Sequence, residues 1–129
     1  MSLLLDTHAV LWLLTDDRRF STKVKERILS GEDVAWSIVS LWEIGIKTSL
    51  RRSDFSVPKN WDRLIPAEMK HNEIQLLDIS PAHCLAVSEL PWHHRDPFDR
   101  LLIAQATAEN RALVSADSRI DLYEVDRIW

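Results

Sequence analysis

Leu3-Leu4-Leu5-Asp6-Thr7-His8-Ala9-Val10-Leu11-Trp12-Leu13-Leu14 is the stretch on which the fold turns. Three leucines that stop at an acid read as a short buried strand. Ala9–Leu14 is too long and too apolar for a loop and reads as a helix, closed by Thr15-Asp16-Asp17. A buried strand followed at once by a helix is the repeating unit of a parallel sheet covered by helices.

The same alternation continues outward. Ser21-Thr22 caps a charged helix through Leu29, with Gly31 beyond its end. Val34–Ile38 reads as a second strand. Ser40, with Glu43 three residues on, has capping-box spacing for a helix carrying Leu41, Trp42, Ile44, Ile46 and Leu50 to Arg51-Arg52. Residues 53–60 form a polar loop. Trp61, Leu64, Ile65 and Met69 recur at helical spacing, with Pro66 marking a break or kink. Ile74–Ile79 is a third strand, and Pro81 opens a helix through Leu90. Asp96-Pro97 is a helix start, an acid at the cap and proline in the first turn, for a helix to about Asn110. Ala112–Ser115 is a fourth strand that halts just before Asp117, and Leu122–Val125 a short edge strand. The expected architecture is a three-layer α/β/α sandwich around a central parallel sheet, in one domain over residues 1–129. In such sheets ligands bind outside the carboxyl ends of the strands.

Composition narrows the function. With 46% hydrophobic and 28% charged residues the chain is ordinary globular material, neither disordered nor low in complexity. A single cysteine, Cys84, permits no internal disulfide and no multi-cysteine zinc site, which suits a reducing, cytoplasmic setting. Two glycines, Gly31 and Gly45, are too few for a dinucleotide-binding loop, and their spacing is not that of a phosphate-binding loop. A charge at Asp6 comes too early for a signal peptide, and no apolar run nears the roughly 18 residues that would span a bilayer.

Asp6 and Asp117 each follow an apolar run expected in the sheet. Glu43 and Asp99 each lie early in a helix that follows a strand or loop at the same edge. Connectivity alone thus gathers four carboxylates from segments 37, 56 and 18 residues apart. Crowded like charges raise their own pKa values and cost stability unless a cation joins them. All-oxygen ligands suit Mg²⁺, or Mn²⁺, rather than zinc. Such an ion polarises a phosphate and lowers the pKa of a bound water, which makes phosphodiester hydrolysis the fitting chemistry. The charge of −4 fits too: setting aside these four acids leaves acidic and basic residues equal in number. Lys47, Arg51 and Arg52 follow Glu43, and Arg95 and Arg100 flank Asp99, as phosphate contacts for a nucleic-acid substrate.

Each of these residues also has a plainer role. Asp6 could cap the next helix, and one carboxylate could serve both purposes. Glu43 could pair only with Ser40 or Lys47, and Asp117 could be a turn residue. Asp96 reads as a cap more than a direct ligand, because Pro97 fixes the helix behind it. Thr7 and Ser115 are placed to hydrogen-bond a carboxylate or a metal-bound water. His93 and His94 read as solvated or backbone-bonded loop residues, His8 as buried by the first helix and Cys84 as core. Of the six tryptophans, Trp12, Trp36 and Trp42 read as core, with Trp61, Trp92 and Trp129 partly exposed.

Together, Leu3–Ala9, Ser37–Ile44, the His94-Arg95-Asp96-Pro97-Phe98-Asp99-Arg100-Leu101-Leu102-Ile103-Ala104-Gln105-Ala106 segment and Ser115-Ala116-Asp117 resemble a PIN domain. More narrowly, they resemble the VapC-type toxins of bacterial type II toxin–antitoxin modules. The resemblance runs over essentially the whole chain. It implies a Mg²⁺-dependent endoribonuclease and a homodimer, silenced by a cognate antitoxin whose tail lies across the active-site groove. Its acidic quartet falls on Asp6, Glu43, Asp99 and Asp117, with Asp6 and Asp99 as metal ligands and Asp96 the alternative to Asp99.

Other functions fit less well. A haloacid-dehalogenase-type phosphatase with Asp6 as nucleophile wants an acid two residues on, where this chain has His8. A receiver-like phosphoacceptor needs a lysine after a late strand, and no lysine follows Lys70. A non-catalytic RNA-binding or protein-interaction module on the same fold would have no need of the carboxylate set.

Overall fold

The computed structural model describes residues 2–51 and 56–129. Leu3–Leu5 forms β1, fully buried. The chain turns at Asp6 into α1, Thr7–Leu14. Helix α2 spans Thr22–Leu29, with the Ser21 hydroxyl accepting from the Val24 N–H at 3.3 Å. It exits through Gly31 at φ 87°, a left-handed turn that suits glycine. Strand β2 is Val34–Ser37, followed without a loop by α3, Ile38–Ser49. Helix α4 is Trp61–His71, β3 is Gln75–Leu77, α5 is Pro81–Glu89 and α6 is Pro97–Ala108. Strand β4 is Ala112–Val114, followed by a 3-10 turn over Ser118–Leu122 and by β5, Arg127–Ile128. No described helix is long and apolar enough to cross a membrane.

The five strands are parallel, in the order β3-β2-β1-β4-β5. Leu3, Leu4 and Leu5 pair with Val34, Ala35 and Trp36 on one side and with Ala112, Leu113 and Val114 on the other. Period-two alternation then sorts the strand residues between two cores. Leu3, Leu5, Val34, Trp36, Ala112 and Val114 pack with Val10, Val24, Ile28, Ile65 and Met69 of α1, α2 and α4. Leu4, Ala35 and Leu113 pack with Leu102, Ile103 and Ala106 of α6 and with Ile120 and Tyr123. This is the expected three-layer sandwich. A central strand buried on both faces explains the unbroken Leu3-Leu4-Leu5 run.

Several local expectations are corrected. Helix α3 starts three residues early. Ser37, not Ser40, is its cap, with the Ser37 hydroxyl accepting from Val39 N–H at 3.1 Å. Glu43 therefore lies in the second turn and belongs to no capping box. Pro66 interrupts no element: α4 runs through it. The last strand is Arg127–Ile128 rather than Leu122–Val125, because the 3-10 turn consumes the chain before it. Trp42 is 56% exposed and Cys84 is exposed, since both sit on outer helix faces that no further layer covers. His8 is exposed too, its ring 5.6 Å from that of Trp12. Arg52 lies outside the described residues, as do positions 53–55 of the expected 53–60 loop.

Candidate active site

The order β3-β2-β1-β4-β5 has one switch point. From β1 the chain crosses to β2 and β3 on one side, then returns to place β4 and β5 on the other. The crevice at the carboxyl ends of β1 and β4 is where such sheets bind ligands. Asp6 sits at that point, and its N–H donates to the Val114 carbonyl at 3.0 Å, tying the two strand ends together.

Asp6 is in extended conformation, and its Oδ1 accepts from the Ala9 N–H at 2.8 Å, capping α1. Only 8% of the residue is exposed. Burial pushes its pKa up to about 6, against hydrogen bonds from Ser115 and Ala9 and with help from the negative charges of Glu43 and Asp117. Ser115 is itself fully buried, and its hydroxyl also accepts from Asp117 N–H at 3.1 Å.

Glu43 enters from α3 and is also buried. Its Oε1 accepts from the Thr7 hydroxyl at 2.5 Å and its Oε2 from Lys47 Nζ at 2.5 Å, one helical turn on. Ser40 Oγ lies 3.0 Å from the same Thr7 hydroxyl. Thr7 thus joins the start of α1 to α3, and Lys47 brings a cation to the acid cluster. Lys47 also lies 6.0 Å from the ring centroid of Phe98.

Asp99 lies in the first turn of α6. Burial first, then the charges of Asp96, Glu43 and Asp6, push its pKa up to about 6, while His94 opposes the shift. Asp96 caps the helix, its Oδ1 accepting from Phe98 N–H at 2.9 Å and Asp99 N–H at 3.1 Å. Those bonds tie the Asp96 carboxylate to the helix start and leave Asp99 as the freer of the two.

Asp117 follows β4 and caps the 3-10 turn by accepting from Arg119 N–H at 3.0 Å. The Arg119 guanidinium also donates to Oδ2 at 2.6 Å. Arg119 holds the Asp117 carboxyl below the usual carboxylate range.

Asp6, Glu43 and Asp99 therefore feel one another, and Asp117 reaches the same crevice from β4. Arg100, expected at the phosphate, is placed elsewhere. It is 3% exposed, lies 3.8 Å from the Trp92 ring centroid and donates to the Pro91 carbonyl at 2.8 Å. The reason is helical phase: one residue past Asp99, it turns toward α5 and the 91–96 loop. Arg51 lies just past the end of α3 with φ 52° and is exposed, as is Arg95. Arg119, Tyr123 and the role of His94 were not legible in the sequence, although Arg119 sits two residues after a turn aspartate, where such pairing is common.

Among the described residues no three His, Cys, Asp or Glu side chains come together in a geometry ready to hold a metal. The donor chemistry nonetheless fits a hard divalent cation. Burial and neighbouring carboxylates push the pKa values of Asp6 and Asp99 up, a cost that a bound cation would relieve. Mg²⁺ commonly takes one or two carboxylates and completes its shell with water.

The chain is similar to ribonuclease VapC22 of Mycobacterium tuberculosis, at 24% identity over 121 residues, covering 92% of this chain and 89% of that protein. In fold it is similar to VapBC2 from Rickettsia felis, solved with a DNA fragment from its promoter. The TM-score is 0.73 at 16% identity, over 100% of this chain and 99% of that one. VapBC-1 from nontypeable Haemophilus influenzae gives a TM-score of 0.66 at 17% identity, over 99% and 97% of the two chains. The family model for the PIN domain matches residues 3–128, from the first leucine of β1 to the end of β5. The chain belongs to the PIN domain family.

Proposed function

We propose that the protein is a metal-dependent endoribonuclease and the toxin of a type II toxin–antitoxin pair. The observation that supports this reading is electrostatic: Asp99 feels the charges of Glu43 and Asp6, Asp6 feels that of Glu43, and Asp6 and Asp99 are both pushed up to about 6. The similarity to a protein named ribonuclease and to VapBC assemblies supports it.

In this reading Asp6 and Asp99 would hold Mg²⁺, or Mn²⁺ in its place. The ion supplies a polarised phosphate oxygen and a water of lowered pKa. The chain's own residues do the rest. Asp6 is fixed by the Ala9 N–H and Ser115. Glu43 is fixed by Thr7 and Lys47, so its carboxylate is oriented before substrate arrives. Glu43 would be the group to accept a proton from the attacking water. Asp117 closes the β4 side of the crevice. Arg51 and Arg95, exposed on either flank, attract the RNA backbone. The antitoxin would silence the enzyme by covering this crevice. A homodimer of single-domain chains and a cytoplasmic setting, where RNA and antitoxin meet, complete the proposal.

The test is incubation of the purified, antitoxin-free protein with total RNA, with Mg²⁺ and with chelator. Cleavage is expected with Mg²⁺ only, and neither Asp6→Asn nor Asp99→Asn should cleave. Full cleavage by both variants would overturn the site assignment. RNA binding without cleavage by the wild type would favour a non-catalytic module on the same fold.

A further inference from the structure

Beside the acids lies a chain of polar contacts with no part in the reading above. Tyr123, 5% exposed, stands at its centre. Its phenolic oxygen lies 3.3 Å from Arg100 Nη1, 3.2 Å from the His94 backbone N and 2.7 Å from His94 Nδ1. A phenol has one proton to donate and an oxygen that accepts. The guanidinium and the backbone N–H are donors only, so both must be accepted by that oxygen. The phenolic proton is then left for His94 Nδ1, at the shortest of the three distances. An Nδ1 that accepts a hydrogen bond leaves the imidazole's own hydrogen on Nε2.

That Nε2 is enclosed and makes no hydrogen bond. Asp99 Oδ2 lies 3.4 Å away, and the His94 side chain is only 12% exposed. A buried donor left unsatisfied costs free energy, so this N–H has a strong pull toward an acceptor. Closing a few tenths of an ångström onto Oδ2 would satisfy it, and hydrogen bonds at such sites tighten when the site is occupied. The support behind the imidazole is rigid. Arg100 is held by the carbonyls of Pro91 and Leu90 at 2.8 and 3.3 Å and by the Trp92 ring. The His93 ring meets Tyr123 edge-on at 4.8 Å.

We propose that His94, its tautomer set by Tyr123 and Arg100, is a positioning residue for Asp99. The Nε2–H would hold Oδ2 and leave the other carboxylate oxygen for the cation. Arg100 thus gains a role two links back from the carboxylate rather than on the RNA. The proposal rests on the nuclease reading for its purpose, though not for its geometry.

The test uses Tyr123→Phe, His94→Leu and His94→Gln in the full chain, the last retaining an N–H near the place of Nε2. Nitrogen-15 NMR of the imidazoles at pH 8 should find His94 protonated on Nε2 in the wild type. In Tyr123→Phe a population protonated on Nδ1 should appear. Mn²⁺ affinity, measured by titration, should fall about 10–100-fold in His94→Leu and return to within about threefold of wild type in His94→Gln. For RNA cleavage, kcat should follow the same order with KM little changed. A wild-type His94 protonated on Nδ1, or wild-type Mn²⁺ affinity in His94→Leu, would overturn the proposal. If His94→Leu does not fold, Tyr123→Phe carries the same tautomer and Mn²⁺ comparisons. If the tautomer and Mn²⁺ results hold while the wild type cuts no RNA, positioning stands and the nuclease reading fails.

Discussion

Asp6 and Asp117 are written alike in the sequence and behave oppositely in the fold. Each follows a three-residue apolar strand, and each caps the turn of helix that comes next. Asp6 follows the central strand, with neighbours on both sides, and is buried among other acids, so its pKa rises to about 6. Asp117 lies at the rim, 30% exposed at its side chain, with Arg119 bound to it, and its pKa falls. Local grammar assigns both the same capping role. Position in the sheet and the nearest charge assign them different chemistry.

The largest effect that would sharpen this contrast is on activity. Asp6→Asn should abolish detectable RNA cleavage, a loss of at least about 10²–10³-fold. Asp117→Asn, which removes an acid already neutralised by Arg119, should cost about tenfold or less. Equal losses from the two would break the distinction.

The second effect is on stability. Because the folded-state pKa of Asp6 lies above its unfolded value, the native state holds that proton more tightly. The native state therefore loses stability as pH climbs from about 4 to about 6, and the loss is complete at neutral pH. Asparagine keeps the cap on α1 and carries no charge. Asp6→Asn should then stabilise the metal-free protein by on the order of 2 kcal/mol at pH 7.5, and by nothing measurable at pH 4. Denaturant midpoints at the two pH values check this. Asp117→Asn should bring no gain at either.

The smallest effect is at Arg119. Arg119→Ala should let the Asp117 pKa climb back toward its ordinary value. It should change stability by less than about 1 kcal/mol, since the pair is solvent-exposed. Carboxyl NMR and thermal melts would read the two.

The asymmetry between these aspartates also marks how far the sequence could be read. Leu3-Leu4-Leu5 announced a central strand, and Asp96-Pro97 announced the start of α6 by local chemistry alone. Ser40 precedes Glu43 at capping-box spacing, yet β2 ends early enough that Ser37 is the cap. Trp42 and Cys84 looked like core because an apolar helix does not reveal which of its faces a neighbouring layer will cover. Arg100 beside Asp99 looked like a phosphate contact, but one residue of helical phase turns it toward α5 and the 91–96 loop. The carboxylates could be gathered at one edge from connectivity. Their separate environments, and the Tyr123–His94 support behind Asp99, come from contacts between segments distant in the chain.

The most direct measurement is a carboxyl carbon-13 NMR titration of the aspartates, without metal and with saturating Mg²⁺. Without metal, Asp6 and Asp99 should titrate near 6 and Asp117 below the ordinary carboxylate range. With Mg²⁺, the first two should fall by about two pH units while Asp117 moves little. Ordinary midpoints for Asp6 and Asp99, unmoved by Mg²⁺, would contradict the account.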